Sequence, residues 1–134
     1  RAATGSQGRA EWRRVIVLDA SAVLAFLAGE QGSEIVERQL AGGVIGAANW
    51  SEVLQKIRTR GADCDVAAAV LASYGVEVVA VTAEDALVAA RLWHPKTPLS
   101  LGDRLCLALG ERMGVSVLTA DRAWGSEGRV VQIR

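Results

Sequence analysis

Four carboxylates stand out by position: Asp19 in "VLDAS", Glu52 in "AANWSEVLQK", Asp103 in "LSLGDRLCLALG" and Asp121 in "VLTADRAW". Each lies beside an apolar or alanine-rich segment, and an ionised acid buried there is expensive unless it is paired, hydrogen-bonded or metal-bound. If the four meet in one cleft, like charges raise one another's pKa and oppose folding. A hard divalent cation removes that conflict, because carboxylate oxygens and waters suit Mg2+ or Mn2+ and no soft ligand is at hand. Acids plus such a cation, without a nucleophile, point to metal-assisted phosphoryl chemistry, in which the cation orients the phosphate and lowers the pKa of a water.

Plainer roles exist for each acid taken singly. Asn49-x-x-Glu52 and Ser100-x-x-Asp103 both have capping-box spacing, in which the acid at the third helical position reaches back to the cap's N–H. Thr82-x-x-Asp85 has the same spacing, and there a cap is the whole expectation. Asp121 fits a turn or N-cap acid. Asp19 has the weakest plain explanation, since neither an amphipathic period nor a box accounts for it.

The elements that must position these acids follow from periodicity and punctuation. Val15 to Leu18 predicts a strand, with a helix opened by Ser21, running to about Ala28 and stopped by Gly29. A helix is expected over Ser33 to Leu40, a strand over Gly43 to Ala48, and a helix from about Trp50 to Arg60. Asp63 or Asp65 starts an alanine-rich helix to Ser73, followed by a strand over Val76 to Val81. Thr82 opens a helix to about Trp93; after the loop "HPKTP", Ser100 opens another through Met113. Val115 to Thr119 and Val130 to Ile133 complete the strands. Strands alternating with helices imply a mostly parallel sheet covered on both faces, and such sheets bind ligands beyond the carboxyl ends of their strands. Three of the four acids follow a strand; Asp103 falls in the first turn of a helix.

At 134 residues and 51% hydrophobic content the chain is expected to form one domain with a real core over residues 15 to 134. Residues Arg1 to Arg14 read as a flexible tail, with Gly5-Ser6 resembling added, non-native residues. The formal net charge is zero, so nothing global announces nucleic acid. Arginine dominates the basic residues, and the only lysines are Lys56 and Lys96. Cys64 and Cys106 form no CxxC and have no histidine set beside them; Cys106 reads as a small core residue, and a reducing, cytoplasmic setting fits. The run Arg13 to Glu30 has some look of a secretory signal, but Asp19 interrupts it where it should be purest. Val66 to Ala83 is long enough to raise a membrane span, yet Tyr74-Gly75 divides it into helix, turn and strand.

The segments "VIVLDASAVLAFL", "ANWSEVLQKI", "LSLGDRLCLALG" and "VSVLTADRAW" together resemble the PIN-domain ribonucleases and, within them, the VapC toxins of toxin-antitoxin modules. The resemblance runs from Val15 to Trp124. It implies a three-layer α/β/α fold with a Mg2+ or Mn2+ site at one edge of the sheet. By position it makes Asp19 and Asp103 the principal metal ligands, with Glu52 and Asp121 completing the catalytic acids. Ser21 and Thr119 match positions where a hydroxyl supports the site. The implied substrate is RNA, a structured tRNA or rRNA site cut to a 5′-phosphate and a 3′-hydroxyl. A homodimer and a cognate antitoxin are implied as partners, the antitoxin's C-terminal segment covering the site, with "SAVLAFLA" and "SEIVERQLA" offering a groove. About fourteen residues precede the first strand, whereas the family begins almost at once.

Arg104 and Arg122, and beside them Lys56, Arg58 and Arg60, are candidate phosphate contacts, solvated surface charge being their plainer role. Trp50 and Trp124 flank site acids and could stack a base, packing being the plainer role. Two other function classes compete. A receiver-like regulatory domain would also cluster acids around Mg2+, but it needs a lysine after a later strand, where neither Lys56 nor Lys96 lies. A PIN-like module that binds RNA or a partner without cutting has no use for all four acids.

Overall fold

The computed structural model describes residues 15–134, and the tail expected over residues 1–14 lies outside them. A five-stranded sheet runs through the middle. In chain order the elements are β1 (Ile16–Leu18), α1 (Ala20–Ala28), α2 (Ser33–Gln39), β2 (Gly43–Gly46), α3 (Ala47–Thr59), α4 (Cys64–Ser73), β3 (Glu77–Val79), α5 (Ala83–Arg91), α6 (Leu101–Met113), β4 (Val117–Thr119), a 3-10 turn (Arg122–Trp124) and β5 (Val130–Gln132). The strand order is β3-β2-β1-β4-β5 and every pairing is parallel. Val17 of β1 is in register with Val44 on one side and Val117 on the other. β1 is thus central, with β2 and β4 flanking it, so the chain leaves all three strands at the same edge. That order differs from the 2-1-3-4-5 order of receiver-like sheets, which removes the phosphoacceptor alternative.

Strand alternation builds the three layers. Ile16 and Leu18 face one side with Ile45, Leu118 and Ile133, where they meet Val23 of α1, Val36 of α2, Val53 and Ile57 of α3 and Leu71 of α4. Val17, Val44, Val117 and Val130 face the other side, against Cys106 and Leu109 of α6 and Trp124. α5 packs on α6. The expected α/β/α fold with a parallel sheet is therefore present, and Cys106 is the core residue expected.

Several element ends differ from expectation, each for a local reason. α1 begins at Ala20 rather than at Ser21, because Asp19 is its N-cap and Ser21 lies inside its first turn. α3 opens at Ala47, directly after Gly46, so Asn49 lies inside the helix and cannot be its cap. The Asn49-x-x-Glu52 capping box is therefore absent, while those at Ser100/Asp103 and Thr82/Asp85 are both formed. β4 starts at Val117 rather than Val115, since the Val115 N–H bonds back to the Gly110 carbonyl and belongs to the end of α6. β3 has three residues rather than six, and as an edge strand it leaves Val78 49% exposed; coverage on both faces fails there. The Val66 to Ala83 window resolves into helix, turn and strand, with Gly75 at φ 91° making the turn. Among the described residues no helix is long and apolar enough to cross a membrane.

Candidate active site

Asp19 leaves β1 in extended conformation and caps α1, its Oδ1 accepting the Ala22 N–H at 2.7 Å. The Ser21 hydroxyl lies 2.8 Å from both carboxylate oxygens, and Thr119 Oγ1 donates to Oδ2 at 2.5 Å. Each hydroxyl also receives a backbone N–H from the exit of β4: Ser21 Oγ from Ala120 at 2.9 Å, and Thr119 Oγ1 from Asp121 at 3.0 Å. Ser21 and Thr119 thus tie Asp19 to the segment that carries Asp121.

Burial decides the electrostatics. Asp19 is 3% exposed, and desolvation pushes its pKa up to about 6 from 3.8. The bonds from Thr119, Ala22 and Ser21 oppose that rise, and the charge of Asp103 adds to it. Asp85 is the control within the same molecule, being equally buried at 3% and equally placed at a helix start. Burial alone would raise it too, but Arg112 at 2.8 Å and the N–H of Thr82 outweigh burial and hold it below the usual carboxylate range. Asp85 is a cap made neutral in effect by a cation. Among the described residues Asp19 has no such ion pair, so hydrogen bonds alone oppose its burial and they do not outweigh it.

Glu52 projects from the second turn of α3, and Asp103 from the first turn of α6. Asp103 also accepts the Ser100 N–H at 2.9 Å while Ser100 Oγ accepts the N–H of Asp103 at 3.1 Å. Capping and site membership are therefore compatible for this acid: one oxygen is committed to the cap and the other is free. Ser100→Ala should cost about 1 kcal/mol of stability, to be read by urea denaturation, with no loss expected if the box is not formed in solution. Asp121 caps the 3-10 turn through the Ala123 N–H at 2.9 Å.

All four acids line one cleft of about 260 Å3, with Ala20, Ser21, Leu24 and Lys56. It opens beyond the carboxyl ends of β1, β2 and β4. A second cleft, about 400 Å3, lies near the opposite strand ends and carries Arg129 and no acid; chemistry, not size, selects the site. Beneath the acids, burial together with the fields of Asp19, Asp103 and Glu52 holds the Cys106 thiol protonated well above its usual range. One buried thiol thus lies within the fields of three of the acids.

The donor set consists of hard oxygens. Among the described residues, no three acidic, histidine or cysteine side chains are close enough to cage a metal unaided. An open acidic cleft of this kind fits Mg2+, which keeps several waters and takes one or two carboxylates together with substrate phosphate. Asp19 and Asp103, both of which line the cleft, are the residues that would hold such a cation.

The basic candidates separate. Lys56, four residues after Glu52 on α3, lines the cleft. Arg104 instead donates to the Ala89 carbonyl at 2.8 Å and is held on α5. Arg58, Arg60 and Arg122 are exposed, and none lines the cleft. Trp50 packs on the larger core and Trp124 is buried in the smaller one, so both take the packing role. Gln132, not anticipated from sequence, donates from β5 to the carbonyls of Asp121 at 2.9 Å and Gly125 at 2.6 Å, holding the turn that carries Asp121. Asn49 and Gly102 were also not anticipated as site residues; the signal for Asn49, its spacing to Glu52, was visible but pointed to a cap.

A parallel α/β/α sheet with an acid-lined cleft at its carboxyl edge defines the class. A PIN domain family model matches residues 16–126, and the chain belongs to the PIN-domain family. Among solved structures it is similar to a toxin-antitoxin complex from Klebsiella pneumoniae, at a TM-score of 0.71 and 13% identity over 89% of this chain and 98% of that one. It is also similar to VapC20 of Mycobacterium tuberculosis, described as a sarcin-ricin loop cleaving toxin, at a TM-score of 0.66 and 21% identity over 86% and 96%. At these identities the likeness is one of fold. Comparison with curated proteins gives no match.

Proposed function

We propose that this chain is an endoribonuclease of the VapC toxin type, cutting a structured tRNA or rRNA with the help of Mg2+ or Mn2+ and held inactive by a cognate antitoxin. The observation that carries the proposal is the convergence of Asp19, Glu52, Asp103 and Asp121 on one cleft, with Asp19 buried and without an ion pair among the described residues. A divalent cation bound there would orient the scissile phosphate and lower the pKa of the attacking water. The chain's own part is to hold the acids: Ser21 and Thr119 fix Asp19, the α6 cap fixes Asp103, and Gln132 fixes the turn of Asp121. The experiment is incubation of the purified chain with total tRNA and rRNA, with Mn2+, Mg2+ or EDTA, followed by mapping of the ends. Cation-dependent cuts leaving 5′-phosphates are expected; binding without any cut would favour the non-catalytic reading.

Lys56 is the cation best placed to meet the phosphate backbone. Lys56→Ala should weaken RNA binding evenly across sequences and reduce the salt-dependence slope by about 1, as read from KM against KCl concentration. An unchanged slope would remove Lys56 from the phosphate path.

For the antitoxin, a groove of about 420 Å3 lies between α1, α3 and α4, lined by Phe26, Leu27, Ile57, Val66, Ala67 and Val70. α1 contributes as expected, but α2 does not line it. For the homodimer, Leu87, Leu92, Trp93 and Leu101 are each exposed by more than a third around α5 and the start of α6, an apolar surface suited to self-association. A cytoplasmic site of action belongs to the same reading.

A further inference from the structure

Asn49 is 1% exposed, yet it neither caps a helix nor extends the apolar core. Its side-chain amide gives one hydrogen to Glu52 Oε1 at 3.0 Å and the other to the Gly102 carbonyl at 3.1 Å. Carboxylate and carbonyl only accept, so the amide nitrogen must face both and the orientation of Asn49 is fixed chemically. The first contact lies within α3 and the second joins α3 to α6, so the Glu52 carboxylate and the start of α6 share one amide across helices that pack on opposite faces of the sheet.

Gly102 supplies a second, independent constraint. A Cβ at this position would stand 2.7 Å from Glu52 Oε2 and 3.0 Å from Glu52 Cδ and Oε1. Glycine inside a helix is otherwise unfavourable, and here its missing side chain is the space the carboxylate occupies. Left alone, a flexible Glu side chain near Asp103 would be driven away by like charge.

We propose that Asn49 and Gly102 are positioning residues that seat the Glu52 carboxylate against the first turn of α6, next to Asp103, and so set the spacing of two site acids across the cleft. The inference rests on the nuclease reading above. Asn49 gives the carboxylate an attractive contact where Asp103 supplies a repulsive one, and Gly102 admits it to that place.

Two variants test this. Asn49→Asp keeps the shape but replaces the donor at both contacts by an acceptor. Gly102→Ala displaces only the far end of the Glu52 side chain, so its melting temperature should match or exceed that of the unaltered chain. Each is made alone and together with Glu52→Gln; Mn2+ affinity is measured by titration calorimetry and RNA cleavage by initial rate. Alone, each should lower both by about 10- to 100-fold, as expected when the residue orienting a metal-site acid is lost. In the Glu52→Gln background neither should cost anything further, and Gly102→Ala should be partly rescued by Glu52→Asp, whose shorter side chain clears the added methyl. Equal losses in both backgrounds would mean a general structural role and overturn the inference alone. Should Asn49→Asp not fold, Gly102→Ala and its rescue decide the question. An unaltered chain that neither binds Mn2+ nor cuts RNA overturns the nuclease reading and this inference with it.

Discussion

Asp19→Asn is expected to lower cation-dependent RNA cleavage by at least about 10^3-fold while the fold is kept. The magnitude follows from the several kcal/mol that a bound cation supplies by stabilising charge in the transition state, at about 1.4 kcal/mol for each tenfold in rate. The preserved fold follows from the local geometry. Asparagine is as good an N-cap as aspartate, so its Oδ1 can accept the Ala22 N–H now bonded to Asp19. Its amide nitrogen would face Thr119 Oγ1, which lies 2.5 Å from the carboxylate and can accept as well as donate. The measurement is initial cleavage rate at saturating Mn2+, together with a circular dichroism spectrum. Undiminished cleavage would place the chemistry elsewhere and leave the acid-lined cleft without its proposed role.

The grouping of the four acids could be read from the sequence in part, because Asp19 and Asp121 follow strands directly and Glu52 and Asp103 lie near helix starts, and strand exits can be read from β-branched runs followed by helix starts. Central β1, flanked by β2 and β4, then makes convergence inevitable. What could not be read was the direction of hydrogen bonds. Asn49 and Glu52 are three residues apart, which is both the spacing of a capping box and the spacing of neighbours on one helix face. Only the point where β2 gives way to α3 decides between them, and the Ala47-Ala48 pair, read as strand, belongs to the helix. Asp19 shows the reverse case: it is a cap that the sequence did not reveal, because Ser21 two residues later offered the same chemistry. Gly102 was silent for a different reason, since a close approach between helices on opposite faces leaves no periodic trace. The candidate arginines misled by count: the cleft took Lys56, one of two lysines, and Arg104 turned to a carbonyl on α5.

The same substitution has an opposite effect on stability, and that effect depends on pH. The Asp19 carboxyl titrates near 6 in the folded chain against 3.8 ordinarily, so between those values the folded state holds a proton that the unfolded state has lost. Stability from this group is therefore fully present below about pH 3.8 and is lost as pH rises through about 6. About two pH units at about 1.4 kcal/mol each set a ceiling near 3 kcal/mol, and because Asp19 is almost fully buried little of this is screened. Asp19→Asn never pays that cost. At pH 8 the variant should be more stable than the unaltered chain by about 2 kcal/mol, and the difference should shrink steadily from pH 6 down to pH 4. Under the proposed function a divalent cation should reverse the ranking, because it would bind the ionised site of the folded chain more tightly than that of the variant. At a concentration a hundredfold above its Kd, bound Mn2+ would add about 2.7 kcal/mol to the unaltered chain. Chemical denaturation at pH 8 should thus place the variant above the unaltered chain in EDTA and below it in Mn2+. A ranking that does not change would show that the burial of Asp19 is not relieved by a cation, and that its raised pKa serves something other than metal binding.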